Sequence, residues 1–276
     1  CNMNKVNISG SDNRLIGSDY FDKLSDQWIK DYNNKIERWN EYNKKLRREN
    51  IACELIQSAQ KGAVIDLGCG VGSLLKRFCS MGFQRVIGVD ISNNMISVAR
   101  KIDNNIELFN CDVQNISPVK SNSIDVCSAL GVIEYFRDDK PFLKEINRIL
   151  KINGVVVIQA RNAKIIKLPI LKFIKSILTI NKSRDYIKGD YIYREHNPKN
   201  LKSSLNKCGF EIMEERFLKF FDILPFHKIP IMGMAFHHFD IFCGKILESF
   251  LSDKKVARYF GYMYFVKARK VNNIND

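Results

Sequence analysis

The sequence predicts a doubly wound α/β fold: a mostly parallel sheet with helices on both faces. Three observations predict it. Short apolar runs alternate with helical patterns from residue 63 onward. The first run ends in an acid followed by three alternating glycines. The next two runs also end in acids, Asp90 and Asp112. Such alternation implies parallel strands joined by crossover helices, and runs that are apolar throughout suit a sheet covered on both faces.

The elements follow in order. Residues 1–18 are polar and rich in Gly, Ser and Asn, so they are expected to be disordered. Residues 19–60 read as an N-terminal helical lid. Trp28, Tyr32, Trp39, Tyr42 and Leu46 recur at helical spacings and share one stripe, which either packs on the domain beneath or also lines a pocket. The remaining chain, 61–276, reads as one domain. Ala63–Leu67 is strand-like, glycines follow, and Ser73–Ser80 is helical. Arg85–Asp90 is the second strand, and residues 92–101 form a helix with Ser92 at its N-cap. Residues 106–111 and Ile124–Leu130 are strands. Residues 141–150 form a helix opened by Pro141, and Asn153-Gly154 turns the chain into a buried strand over 155–160. Residues 198–208 are a helix closed by Gly209, and strands are expected over 210–220 and 259–268. Two insertions interrupt the alternation, residues 162–195 and 221–251.

Charge narrows the partners. The chain carries 44 Lys and Arg against 30 Asp and Glu, a net +14, and residues 161–210 alone hold 12 basic against 3 acidic side chains. A basic block is a solvated face, or it meets an acidic substrate, an anionic membrane or nucleic acid. The 8 cysteines form no CxxC pair and no zinc spacing with histidine, so no metal is expected and a reducing, cytoplasmic setting is. No apolar run reaches membrane-spanning length, and no secretory signal is visible. Cys1 in place of a methionine reads as a truncated or processed start, with a lipidated cysteine as the alternative.

The chemistry concentrates at strand ends. Val64-Ile65-Asp66-Leu67-Gly68-Cys69-Gly70-Val71-Gly72 places an acid before a glycine loop that a ligand can approach closely. A dinucleotide loop wants a glycine where Ser73 stands. A carboxylate before the loop would also repel a diphosphate, which disfavours an NAD-dependent dehydrogenase. The acid instead suits a sulfonium-bearing amino acid. Asp90, at the second strand tip, can accept both hydroxyls of a ribose. Asp112, in Cys111-Asp112-Val113, can accept from an adenine amino group.

From about residue 60 to 160 the chain resembles the class I S-adenosylmethionine (SAM)-dependent methyltransferase family. It is most similar to the small-molecule branch that includes the ubiquinone-biosynthesis O-methyltransferases. The resemblance rests on the glycine loop, Asp90, Asp112, Ser128-Ala129-Leu130-Gly131-Val132-Ile133-Glu134-Tyr135 and Leu150-Lys151-Ile152-Asn153-Gly154. It extends more weakly through His196-Asn197-Pro198 to Gly209-Phe210. It implies a Rossmann-like sheet and SAM as cofactor. The methionyl part would lie on Asp66, Gly68, Cys69, Gly70 and Gly72, and the ribose on Asp90. The adenine would sit by Cys111 and Asp112, flanked by Ile91 and Val113, with Leu130 and Gly131 under the sulfur. Many relatives have histidine where this chain has Tyr135. An ordinary tyrosine, with a pKa near 10, is a hydrogen-bond donor rather than a base at neutral pH. Tyr135 and His196 are the catalytic candidates, and Tyr20, Trp28, Tyr32 and Arg161 the substrate-facing ones. His227, His237 and His238 read as interior or lid residues.

The implied reaction is methyl transfer to a small-molecule or lipid-like acceptor, with oxygen the expected acceptor atom. Positioning alone can supply roughly 7–11 kcal/mol of such a barrier, so no catalytic triad is expected. Two other readings stand beside it. A nucleic-acid methyltransferase would fit the positive charge. However, the chain reads Ala129-Leu130-Gly131-Val132 where base-methylating enzymes carry an Asn/Asp-Pro-Pro-aromatic run, and no RNA-binding module is appended. A catalytically silent SAM-binding scaffold is the other. The insertions bear on the acceptor. Residues 164–180 form a basic amphipathic stretch whose lysines, Lys172 and Lys175, share one face while Ile170, Phe173, Ile174 and Ile177 share another. With the apolar segment 221–250 it is expected to roof the substrate side, and it can contact an anionic membrane.

Overall fold

The computed structural model describes residues 17–23, 25, 39–163, 184–188, 191–218 and 261–274. Trp28 and Tyr32, the basic stretch 164–180 and the segment 221–250 lie outside these residues, as do His227, His237 and His238. Helices are α1 Trp39–Ile56, α2 Ser73–Ser80, α3 Asn93–Ala99, α4 Lys140–Ile149 and α5 Pro198–Lys207. Strands are β1 Ala63–Leu67, β2 Arg85–Asp90, β3 Glu107–Asn110, β4 Ile124–Leu130, β5 Leu150–Arg161, β6 Arg184–Lys188, β7 Tyr191–Glu195, β8 Phe210–Leu218 and β9 Met263–Lys270. Residues 18–23 and Ser25 are also helical.

Seven strands form one sheet in the order β3-β2-β1-β4-β5-β9-β8. The first five are parallel, and β9 runs antiparallel between β5 and β8. The chain builds outward from β1 to β3, then returns to add β4 on the other side of β1. A crevice opens above the carboxyl ends of the strands where the order reverses, because the loops there part in opposite directions.

Strand periodicity splits the core between the two faces. Ile65 and Leu67 of β1 join Phe142, Leu143 and Ile146 of α4 and Leu201 and Leu205 of α5. Val64 points the other way, to Leu55 and Ile56 of α1 and Leu74, Leu75 and Phe78 of α2. Each large side chain buried in this way stabilises the fold by about 1.5–3 kcal/mol.

Two sequence expectations change. The Asn153-Gly154 turn lies within β5. The β4–β5 register shifts between Ile124↔Leu150 and Val126↔Val155, so a bulge, with Asn153 at φ 66°, takes up the extra residues without ending the strand. The 162–195 insertion also contains the antiparallel hairpin β6–β7. Its sequence signal is Gly189-Asp190 between two β-prone runs. The insertion starts and ends at one point: the His196 amide donates to the Arg161 carbonyl (2.7 Å) and the Ala163 amide to the His196 carbonyl (2.9 Å). Among the described residues, no helix is long and apolar enough to cross a membrane.

Candidate active site

The glycine loop leaves β1 and folds back on β2. The amides of Gly68 and Cys69 both donate to the Val89 carbonyl, at 2.7 and 3.0 Å. Gly68 has φ +72°, and a Cβ there would lie 2.3 Å from Val132 Cγ2, so no other residue fits. Asp90 is held from two sides: the Gly70 amide donates to its Oδ2 (2.8 Å) and the Ser92 amide to its Oδ1 (2.9 Å). Burial raises its proton affinity, and these two hydrogen bonds oppose the rise. At the next strand tip, Asp112 Oδ1 accepts from the Gln114 amide at 2.9 Å, and this fixes the carboxylate in its turn.

A cavity lies above these strand ends. Gly68, Gly70, Asp90, Ile91, Asp112, Val113, Leu130 and Gly131 form part of its wall. Four other candidates from the same stretch lie off the wall. Asp66 is buried, and its Oδ1 accepts from Ser128 Oγ on β4, because the parallel register sets these two residues side by side. Cys69 packs in the core, with its Sγ near Gly88. Gly72 faces Ile102 and Ala99, and Cys111 packs against the core cluster. Among the described residues, no group of His, Cys, Asp and Glu could hold a metal ion.

The other end of the cavity is aromatic and ionic. Tyr135, in the 3₁₀ turn Ile133–Tyr135, lines it, and the Phe21 ring meets Tyr135 edge-on with centroids 5.0 Å apart. Arg161 lines it too. Its Nε donates to Glu134 Oε2 (2.6 Å), its Nη1 to the Tyr262 hydroxyl (3.0 Å), and its guanidinium lies 3.8 Å from the Tyr193 ring centroid. Tyr20 touches Phe21 edge-on but is not on the wall.

His196 requires correction as a pocket-facing residue. It is only 2% exposed, its Nε2 lies 3.0 Å from Asp139 Oδ1, and it is absent from the wall. The helix that follows starts at Pro198, as expected, with Asn197 as N-cap accepting from the Lys199 amide. Its backbone sits in an isolated bridge with Asn162, while its side chain is buried against Asp139.

Nine wall residues were not among the sequence candidates: the apolar Phe21, Met95, Val132, Phe136 and Met263, and the polar Arg48, Glu134, Gln159 and Tyr262. Two of these had a signal. Glu134 is an acid inside an otherwise apolar run, and Gln159 is the one polar residue in the apolar run 155–160. Arg48, Gln159 and Glu134 converge beside Gly131. A Cβ on Gly131 would lie 3.2 Å from Arg48 Nη1, 3.5 Å from Gln159 Oε1 and 3.7 Å from Glu134 Oε1. Arg48 Nε and Gln159 Oε1 are buried without a hydrogen-bond partner. Buried polar atoms without partners are rare. A donor and an acceptor left open side by side fit the carboxylate and ammonium of an amino-acid group.

The pH dependence of stability provides a check on the buried acid beneath the loop. Burial, the largest influence, pushes the Asp66 carboxyl up to about 7, while the Ser128 hydrogen bond opposes it. A raised carboxyl binds its proton more tightly folded than unfolded, so its contribution to stability falls as pH rises toward 7 and then levels off. The stability of Asp66→Asn relative to wild type is therefore expected to improve from pH 5 to pH 8. Parallel melting curves across that range would refute the assignment.

The crevice at the reversal of strand order and the acids at its strand tips define a nucleoside-binding α/β protein of Rossmann-like build. Comparison with known proteins sharpens this. Residues 65–158 match the family described as a methyltransferase domain. An uncharacterized protein from Methanocaldococcus jannaschii is 29% identical over 209 residues, 71% of this chain and 76% of the relative. The ubiquinone biosynthesis O-methyltransferase of Pelagibacter ubique is 30% identical over 153 residues, 51% of this chain and 62% of the relative. The chain thus spans less than two thirds of that relative's length. The crystal structure of a SAM-dependent methyltransferase from Mesorhizobium loti shares the fold, with a TM-score of 0.57 at 16% identity, covering 81% of this chain and 98% of the other. Residues 65–158 thus carry a methyltransferase domain, the sheet has the Rossmann-like fold of SAM-dependent methyltransferases, and SAM is the cofactor.

Proposed function

We propose that this protein transfers the methyl group of SAM to an oxygen of a small-molecule acceptor that enters beside Tyr135 and Arg161. The observation that carries the reading is the two-ended cavity: carboxylates and glycines at one end, an aromatic and ionic wall at the other. Similarity to ubiquinone-biosynthesis O-methyltransferases supports oxygen as the acceptor atom.

SAM supplies a methyl group already activated by its sulfonium charge. The chain's own residues bind and orient. Asp90 accepts the ribose hydroxyls and Asp112 the adenine amino group, while Ile91 and Val113 flank the ring. Gly68 and Gly70 let the backbone come close, and Leu130 and Gly131 floor the site. Arg48 takes the carboxylate of the amino-acid end and Gln159 its ammonium. Across the cavity, Tyr135 donates a hydrogen bond to the acceptor, and Arg161, steadied by Glu134 and Tyr262, fixes its orientation. Positioning of this kind removes the need for a strong base when the acceptor oxygen is acidic.

Turnover with methyl-labelled SAM against catechols, simple phenols, sugars and lipid headgroups tests the reading. Label recovered as a methyl ether is the expected result, and label recovered only on nitrogen or carbon would overturn the oxygen assignment. A lipid-like acceptor delivered at an anionic membrane is the form of the proposal that the basic stretch 164–180 supports. Vesicles containing an anionic lipid are then expected to sediment the protein at low salt, less so at high salt and less again for Lys172→Glu/Lys175→Glu. Absence of sedimentation at low salt would leave a water-borne acceptor.

A further inference from the structure

The helical turn of residues 18–23 with Ser25 touches the body of the protein at both ends of the cavity. At the nucleoside end, Ser92 Oγ donates to Asp22 Oδ1 (2.5 Å), the Asn94 amide donates to the same oxygen (3.4 Å), and Asn94 Nδ2 donates to the Asp22 carbonyl and to Ser25 Oγ (3.4 Å each). At the acceptor end, Phe21 meets Tyr135, and both rings line the wall. The turn therefore spans the mouth between the two ends. We propose that it is a latched lid, fastened by Asp22 on Ser92, which must lift before the product S-adenosylhomocysteine can leave. This rests on the reading of Asp90 as the ribose acceptor.

Ser92 is the link between latch and cofactor. Its amide donates to Asp90 Oδ1 (2.9 Å), its hydroxyl donates to Asp22, and its Oγ accepts from the Met95 amide (3.2 Å), which holds the side chain in place. The Asp22 carboxylate is close enough to Asp90 for the two charges to repel. Ribose hydroxyls donating to Asp90 take up part of its charge and relieve that repulsion, so the latch is tighter when the cavity is filled. Coupling of this kind is reciprocal: a cofactor that favours the closed latch is held by it to the same degree. The polar bonds that fasten the turn at Asp22 and Ser25 are part-exposed or exposed. Such segments open well before the fold as a whole, and lid opening often limits turnover.

Dissociation of labelled S-adenosylhomocysteine from the full chain, chased with unlabelled ligand, reads the latch directly. Asp22→Ala is expected to release it about fivefold faster or more, with the association rate changed by less than about twofold and the melting temperature unchanged. The double variant Asp22→Ala/Ser92→Ala is expected to release it at the same rate as Asp22→Ala, since the Ser92 hydroxyl has no bond left to make in the latch once the carboxylate is gone. Tight binding by the wild type with unchanged dissociation from Asp22→Ala would overturn the latch and leave the cofactor site standing. Failure of the wild type to bind S-adenosylhomocysteine would overturn both. A lower melting temperature with an unchanged off-rate would assign Asp22 a structural role alone, which also overturns the latch.

Discussion

Replacing Asp90 with alanine is expected to weaken SAM binding more than tenfold. Hydrogen bonds to a charged acceptor are worth about 1.5–3 kcal/mol, and the ribose reading gives Asp90 two of them. The loss extends beyond the ligand. Asp90 also receives the Gly70 and Ser92 amides, so its removal loosens the glycine loop at the point where the cofactor approaches the backbone. Asp90→Asn keeps one acceptor oxygen, but its amide group must then face one of those two N–H donors. An intermediate affinity is expected for it. Calorimetric titration of SAM into folded variants checks this, and equal affinity in wild type and Asp90→Ala would remove Asp90 from the ribose role.

Glu134→Ala is expected to destabilise the protein by about 3 kcal/mol, because it strands the Arg161 guanidinium in a largely buried site without its carboxylate. Glu134 is 3% exposed, and its pair with Arg161 is close at 2.6 Å. Burial raises the Glu134 carboxyl, and the Arg161 charge works against that rise. For a chain of this size the loss corresponds to a melting temperature lower by about 6–12 °C. Methyl transfer should fall as well, since Arg161 loses the contact that aims it at the acceptor end. Glu134→Gln retains an oxygen for Arg161 Nε and should recover part of the stability. A change below about 2 °C in Glu134→Ala would show that the pair does not hold the wall together.

The parts of this protein that were legible in its sequence are those encoded by local periodicity. Apolar runs of strand length, separated by helical patterns, specify β1 to β5 and the helices between them, because each run needs cover on both faces wherever its neighbours lie. The glycine loop and the acids at 90 and 112 were legible for the same reason. A residue at the end of a parallel strand faces the crevice whatever the rest of the chain does, and all of Gly68, Gly70, Asp90 and Asp112 line the cavity.

Only the tertiary structure decided which side chains complete the site, because those depend on pairings between distant segments. Asp66 is turned under the loop, not into the cavity, by the register that sets it beside Ser128, 62 residues away. His196 is buried against Asp139, 57 residues before it. Arg48 reaches the cavity from α1 and Gln159 from β5, and they meet beside Gly131 because the Leu130↔Gln159 register aligns those strand ends. The antiparallel entry of β9 between β5 and β8 brings Tyr262 to Arg161. Hydrophobic patterning tells each segment which face to bury, but it carries no record of which partner it will bury that face against.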